Sequence, residues 1–257
     1  MIQQVILGDC LEKMADIKDK SIDLILADLP YGTTACKWDS VIPFEPLWMH
    51  YNRVCKENAA IVLFCCQPFT SVLGASNIKY LKYSWVWEKT KPTNFLQSKR
   101  MPLRGFEDIL VFYRSQPYYD PQGLLTVNRK VKNTGTKNRR GASKENGDQS
   151  FHGHVSNSQD TGDNSYNQEF TNFPRGIILQ AQNGNSKSFH PTQKPIELCE
   201  YLIKTYTQEN DLILDNCAGS GSTLIAARNL NRQFIGIEKE PKYYEIILNR
   251  LNLSRSS

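Results

Sequence analysis

Leu212-Ile213-Leu214-Asp215-Asn216-Cys217-Ala218-Gly219-Ser220-Gly221-Ser222-Thr223 is the stretch that decides the fold. An apolar run ends in an acid, two glycines follow, and a Ser-Thr pair opens the next segment. That is a strand, a tight glycine turn and the start of a helix. Glycine lets the backbone approach a ligand closely, and a helix N-terminus offers free N–H groups. Downstream, Phe234-Ile235-Gly236-Ile237-Glu238 is a second apolar run ending in an acid, with Glu238 17 positions beyond Gly221. A carboxylate so placed can accept hydrogen bonds from ribose hydroxyls. No Lys follows the glycines, so the turn is not a P-loop, and the full dinucleotide fingerprint is absent. A nucleoside-type cofactor smaller than a dinucleotide fits better. An ordinary glycine turn of an α/β protein looks similar, so this stretch alone leaves both readings open.

The same rhythm extends in both directions. Short apolar runs predict strands at Val5–Leu7, Ile22–Ala27, Ala60–Phe64, Tyr83–Trp87, Asp108–Tyr113, Leu212–Asp215 and Phe234–Glu238. Such runs suit strands buried on both faces. Helices are predicted at Cys10–Ile17, Phe44–Val54, Pro195–Tyr206, Ser222–Leu230 and Lys242–Leu251. Strands alternating with helices argue for an α/β fold with a doubly wound, mostly parallel sheet. Tyr83–Trp87 and Asp108–Tyr113 are candidates for an antiparallel edge. Residues 114–189 break the rhythm: they are polar, rich in Asn, Gln, Ser and Gly, and read as an insertion between 1–113 and 190–257.

The chain has 257 residues, enough for one large domain with an inserted lobe. Its net charge is +5, and that excess is local. Arg129, Lys130, Lys132, Lys137, Arg139, Arg140 and Lys144 are seven cations with no acid among them; without them the remainder carries −2. Interleaved Gly and Asn suggest that they sit on loops. The segment is either a solvated surface or a phosphate-backbone contact. Seven cysteines, an odd number without a C-x-x-C pair, argue against a disulfide framework or a zinc knuckle, and no metal site is expected. With no secretory leader visible, a reducing, cytoplasmic setting is expected. The longest apolar run, Ala59 to Cys66, falls far short of the roughly 20 residues that cross a bilayer, so no membrane partner is expected.

The strand at Ile22–Ala27 runs into Asp28-Leu29-Pro30-Tyr31-Gly32. In a doubly wound sheet, ligands bind at the carboxyl ends of the strands. The Asp28 carboxylate and the Leu29 carbonyl, held by Pro30, can both accept from one amino group. The Tyr31 ring can stack on a flat base. An isolated tetrapeptide of this kind is also common as a strand–turn with a structural tyrosine.

Taken together, the two motifs resemble the amino-methylating DNA methyltransferases that use S-adenosylmethionine. Their catalytic signature is Asp-Pro-Pro-Tyr or a close variant, and Asp28-Leu29-Pro30-Tyr31 matches it except at the second position. Here the catalytic motif precedes the cofactor loop, as in the family's permuted β-group. Gly8-Asp9-Cys10, Trp87-Glu88-Lys89, Arg104 to Phe112 and His190-Pro191-Thr192-Gln193-Lys194-Pro195 are similar to further elements of the family. Asp215-Asn216-Cys217 stands where the family has Asp-Pro-Phe. The resemblance covers roughly 1–113 and 190–251 and places the family's target-recognition region in the basic insertion.

The resemblance implies a Rossmann-like methyltransferase fold of circularly permuted motif order, with Asp28, Leu29, Pro30 and Tyr31 catalytic. It implies S-adenosylmethionine contacts from Asp9, Cys10, Asp28, Thr192, Lys194, Asp215, Cys217, Ala218, Gly219, Ser220, Gly221, Ser222, Thr223 and Glu238. Asp9 would meet the cofactor adenine, Glu238 its ribose, and Thr192 and Lys194 its carboxylate. Double-stranded DNA is the implied partner, homodimerisation is plausible on family grounds, and Asp at the first tetrapeptide position leans to adenine N6 over cytosine N4. Two other classes remain. A noncatalytic nucleic-acid binder would explain the basic segment but not the tetrapeptide. A nicotinamide-dependent oxidoreductase would explain the glycine turn and Glu238 but not the tetrapeptide or the His190–Pro195 stretch.

Overall fold

The computed structural model describes residues 2–32, 39–132, 165–180 and 193–253. Two compact units emerge: Met1–Pro121 with Pro174–Ser257, and Gln122–Phe173. In chain order the first runs β1 (Gln3–Leu7), α1 (Cys10–Met14), β2 (Ile22–Asp28), α2 (Phe44–Val54), β3 (Cys55–Cys65), α3 (Phe69–Ser76), β4 (Leu81–Thr93) and β5 (Arg104–Phe112). The second unit holds β6 (Leu125–Lys132) and β7 (Ser165–Thr171), paired antiparallel. The first resumes with β8 (Ile177–Gln180), α4 (Ile196–Tyr206), β9 (Leu212–Asp215), α5 (Ser222–Asn229), β10 (Gln233–Glu238) and α6 (Pro241–Leu251).

The first unit is built on one eight-stranded sheet of order β1-β10-β9-β2-β3-β5-β4-β8. Every pairing is parallel except the two made by β5, which runs antiparallel to β3 and to β4. Side chains alternate between the two faces. Leu24 and Leu26 of β2 join one apolar cluster with residues of α4, α5 and α6. Ile25 and Ala27 join the other, with residues of α1, α2 and α3. Leu24–Ala27 of β2 and Leu212–Leu214 of β9 are continuous apolar runs because helices cover both faces. Each buried Leu or Ile contributes about 1.5–3 kcal/mol.

Several expectations shift. The antiparallel pair is not the sheet edge: β5 lies between β3 and β4, and β8, from the stretch read as insertion, adds a strand outside β4. The compact second unit, Gln122–Phe173, lies within the stretch 114–189 read as an insertion. Helix α3 was not foreseen. Arg129, Lys130 and Lys132 lie on strand β6, not on a loop. The register pairs Arg129 with Gln168 and Val131 with Tyr166, and this cross-strand ladder overrides the Asn-Gly composition around it.

Candidate active site

Strand direction assembles the site. β1, β2, β9 and β10 are parallel, so their carboxyl ends, at Leu7, Asp28, Asp215 and Glu238, share one rim of the sheet. Because β5 is antiparallel, its first residues come to that same rim. A cavity of about 620 Å³ lies there, lined by Asp9, Asp28, Tyr31, Glu107, Gly219 and Glu238 among others. The tetrapeptide and the glycine turn, far apart in sequence, therefore face one space.

At the tetrapeptide end, Asp28 accepts from the Tyr31 hydroxyl at 2.6 Å and from Lys194 Nζ at 2.5 Å, one on each carboxylate oxygen. Lys194 Nζ also lies 3.3 Å from Glu107 Oε2, and Lys89 Nζ lies 2.5 Å from Glu107 Oε1. The four groups form a chain of alternating sign, Asp28–Lys194–Glu107–Lys89, in which each charge has an opposite neighbour. Lys194 and Lys89 side chains are each 7% exposed, a burial tolerated only because the charges are paired. Burial pushes the Lys194 pKa down, but the carboxylates of Asp28 and Glu107 outweigh it and hold the group well above an ordinary lysine. Burial pushes Glu107 up; Lys194 and Lys89 outweigh it and hold the carboxyl below its ordinary value. Burial, then the Asp28 charge, raises the Tyr31 hydroxyl. One face of the Tyr31 ring stacks on Phe69, with centroids 5.1 Å apart.

At the glycine end, Gly219 and Gly221 have φ of +53° and +82°, values that L side chains rarely adopt. The turn is held from three sides. Glu238 Oε2 accepts from Gly219 N at 2.7 Å and its Oε1 from Glu240 N at 2.8 Å. Tyr51 donates to Asn216 Oδ1 at 2.6 Å, and Arg250 donates to the Ser220 carbonyl. Asp215 is 3% exposed; burial pushes its carboxyl up to about 7, although Cys217 N donates to it at 3.1 Å. Burial raises Glu238 as well, against the backbone N–H groups that favour its charge. Two observations point to a ligand. Ser222 Oγ is buried with no hydrogen-bond partner among the described residues, although Ser222 lines the cavity. A Cβ on Gly219 would find only the Cys217 carbonyl, 4.0 Å away.

The other expected site residues are placed as follows. Asp9 caps α1, accepting from Leu11 N at 3.0 Å, and pairs with Lys239 at 3.1 Å while lining the cavity. Cys10, Leu29, Pro30, Cys217, Ala218, Ser220 and Thr223 also line it. Asn216 Nδ2 donates to Cys217 Sγ at 3.5 Å. Gly221 underlies the turn and is packed 3.1 Å from Ile247 at its Cβ position. Lys194, expected beside a cofactor carboxylate, bridges Asp28 and Glu107 and lines the cavity. Thr192 lies outside the described residues, as do Lys137, Arg139, Arg140 and Lys144. Arg129 and Lys130 lie in the second unit, where Arg129 Nε donates to Gln168 Oε1 at 2.8 Å. Glu107 and Lys89 carried no role in the sequence reading. Their signal was a charged pair directly after an aromatic residue in Trp87-Glu88-Lys89 and in Phe106-Glu107-Asp108.

The strand order and the rim cavity define a methyltransferase-type α/β fold, shared with the solved M1.HpyAVI–SAM complex at a TM-score of 0.64 and 25% identity over 98% of this chain and all of that one. The profile of the N6/N4 DNA methylase family, described as "DNA methylase", matches residues 22–249, and the chain belongs to that family. The type II methyltransferase M1.MboII of Moraxella bovis is 27% identical over 266 residues, covering 96% of each chain. M.HindIII of Haemophilus influenzae is 46% identical over 71 residues, a stretch that spans 28% of this chain and 23% of that protein.

Proposed function

We propose that the protein methylates an exocyclic amino group of a base in double-stranded DNA, adenine N6 in particular, with S-adenosylmethionine as methyl donor. The observation that carries this reading is the single cavity shared by Asp28-Leu29-Pro30-Tyr31 and the Gly219–Glu238 turn. The unpaired Ser222 hydroxyl, the space beside Gly219 and the oriented Glu238 carboxylate fit a nucleoside-bearing cofactor. S-adenosylmethionine also gives its name to the solved complex of a relative. Bound there, it supplies an electrophilic methyl group on a sulfonium. Glu238 and the glycine turn hold its ribose, and Asp9 sits near its adenine.

The amino nitrogen of a base is a poor nucleophile because its lone pair is delocalised into the ring. Asp28 and the Leu29 carbonyl accept its two N–H bonds and favour the tetrahedral geometry that frees the lone pair. Tyr31 and Lys194 occupy one position on each Asp28 oxygen, and a carboxylate has about four lone-pair sites, so acceptor capacity remains. A base that leaves the duplex stacks on the face of Tyr31 opposite Phe69. Rate enhancement then comes from positioning and electrostatics. Arg129, Lys130, Lys132, Lys137, Arg139, Arg140 and Lys144 hold phosphates in the target-recognition region, read as 114–189.

Purified protein incubated with tritiated S-adenosylmethionine and mixed-sequence duplex DNA, digested to nucleosides and resolved by mass, is expected to give N6-methyl-2′-deoxyadenosine. Label at the cytosine amino group would keep the chemistry and sink the base assignment. Asp28→Ala is expected to lower methyl transfer at least 100-fold, roughly the loss of one well-placed transition-state partner. Retention of activity within a few-fold, in a variant that still folds, would overturn the role of Asp28.

A further inference from the structure

The β4–β5 hairpin bears features that the sheet does not use. From Thr90 to Phe106 there are four cations, Lys91, Lys99, Arg100 and Arg104, all exposed, and no acid. The tip is built rather than loose. Asn94 turns the chain with φ +73°, and Phe95–Gln97 form one 3₁₀ turn. Gln97 N donates to Asn94 O at 3.1 Å and Met101 N to Gln97 O at 3.0 Å. On this hydrogen-bonded tip Leu96 is 99% exposed, Phe95 75% and Met101 48%, and Phe106 at its base is 54% exposed. Leaving a Phe or Leu in water forgoes about 1.5–3 kcal/mol each, and here the exposed groups are clustered, not scattered. Thr93 pairs with Arg104, and both residues, with Phe106, line the cavity. The tip is thus a direct continuation of the rim through which a target base would enter.

Apolar groups flanked by cations, with no acid between Thr90 and Phe106, complement stacked bases flanked by phosphates. Minor-groove and base-flipping proteins insert such apolar side chains between base steps, and the gap left by an extruded base has to be filled. We propose that the β4–β5 tip is a DNA wedge: Phe95 and Leu96 enter the stack beside the extruded base, and Lys91, Lys99, Arg100 and Arg104 hold the flanking phosphates. This rests on the DNA-methylating reading above.

The test uses the full chain and a duplex carrying the site mapped from wild-type methylation, with 2-aminopurine at the target position. F95S/L96S is expected to lose at least tenfold in methyl transfer and most of the 2-aminopurine fluorescence gain, with S-adenosylmethionine binding unchanged. K99S/R100S is expected to weaken duplex binding and to reduce the slope of log K against log[salt] by about 1–2, since each lost phosphate contact contributes about 0.9. Both pairs are exposed, so unaltered thermal unfolding is expected and separates folding from function. Activity and fluorescence within twofold of wild type in F95S/L96S, with an unchanged salt slope in K99S/R100S, would overturn the wedge. Absence of methyl transfer by the wild type would overturn the functional reading itself, before any variant is compared.

Discussion

Asp215 sits at the end of β9, under the glycine turn, and its burial sets a pH dependence. Its carboxyl is pushed from 3.8 up to about 7 in the folded protein. Between those values the unfolded chain has released the proton and the folded chain still holds it. Stability is therefore lost as pH rises through this window, by about 1.4 kcal/mol per unit, and levels off above it. Asp215→Asn removes the titration. The stability of the wild type relative to this variant is expected to fall by roughly 3 kcal/mol between about pH 4.5 and 7.5, measured by urea denaturation of both. A difference that stays constant across the range would show that Asp215 ionises as it does in the unfolded chain. Residues at strand ends were legible in the sequence because the rule placing ligands at carboxyl ends is local to each strand. Glu107 and Lys89 were not, because their place at the site depends on β5 running antiparallel, a non-local fact.

At the scale of elements, Gly236 in β10 shows why the helix–sheet packing is so close. A Cβ there would stand 2.4 Å from Leu224 Cδ1 of α5. Gly236→Ala is expected to destabilise the protein by about 1–3 kcal/mol through overpacking. In a double-mutant cycle, Leu224→Ala makes room for the new methyl, so G236A/L224A should cost less than the sum of the single changes. Additive costs would mean that α5 moves away freely. The elements flanking Gly236 were readable because β9 and β10 are continuous apolar runs of the length that buried parallel strands require. Longer or weaker patterns misled. β4 and β5 continue past their apolar cores into charged segments, since pairing with each other sustains them to Thr93 and Arg104. Helix α3, Phe-Thr-Ser-Val-Leu-Gly-Ala-Ser, has β-branched and small residues that lower helix propensity, and it stands by packing Phe69 and Leu73 into the core. Strand β8 is four residues long in a polar stretch, and its place comes from the ladder with β4.

For the whole molecule, the cavity is lined by residues far apart in the chain that only the fold brings together, so a ligand bound there is a ligand of the folded state alone. S-adenosylmethionine at 100 times its dissociation constant should then stabilise the protein by about 2.7 kcal/mol. Variants at the two ends of the cavity divide this effect. Glu238→Ala removes the acceptor of Gly219 N and the proposed ribose contact together, so it should lose the ligand-induced rise in melting temperature along with methyl transfer. Asp28→Asn keeps an acceptor for the Tyr31 hydroxyl but gives up the charge that faces Lys194. It should lose methyl transfer and keep at least half of the rise. Asp28 stands in both the catalytic and the cofactor-binding sets of expected residues, and this pair of thermal shifts separates those roles. A rise abolished in Asp28→Asn would make the carboxylate a cofactor contact in its own right. A rise preserved in Glu238→Ala would move the ribose elsewhere in the cavity and leave the Glu238 carboxylate as a brace for the glycine turn.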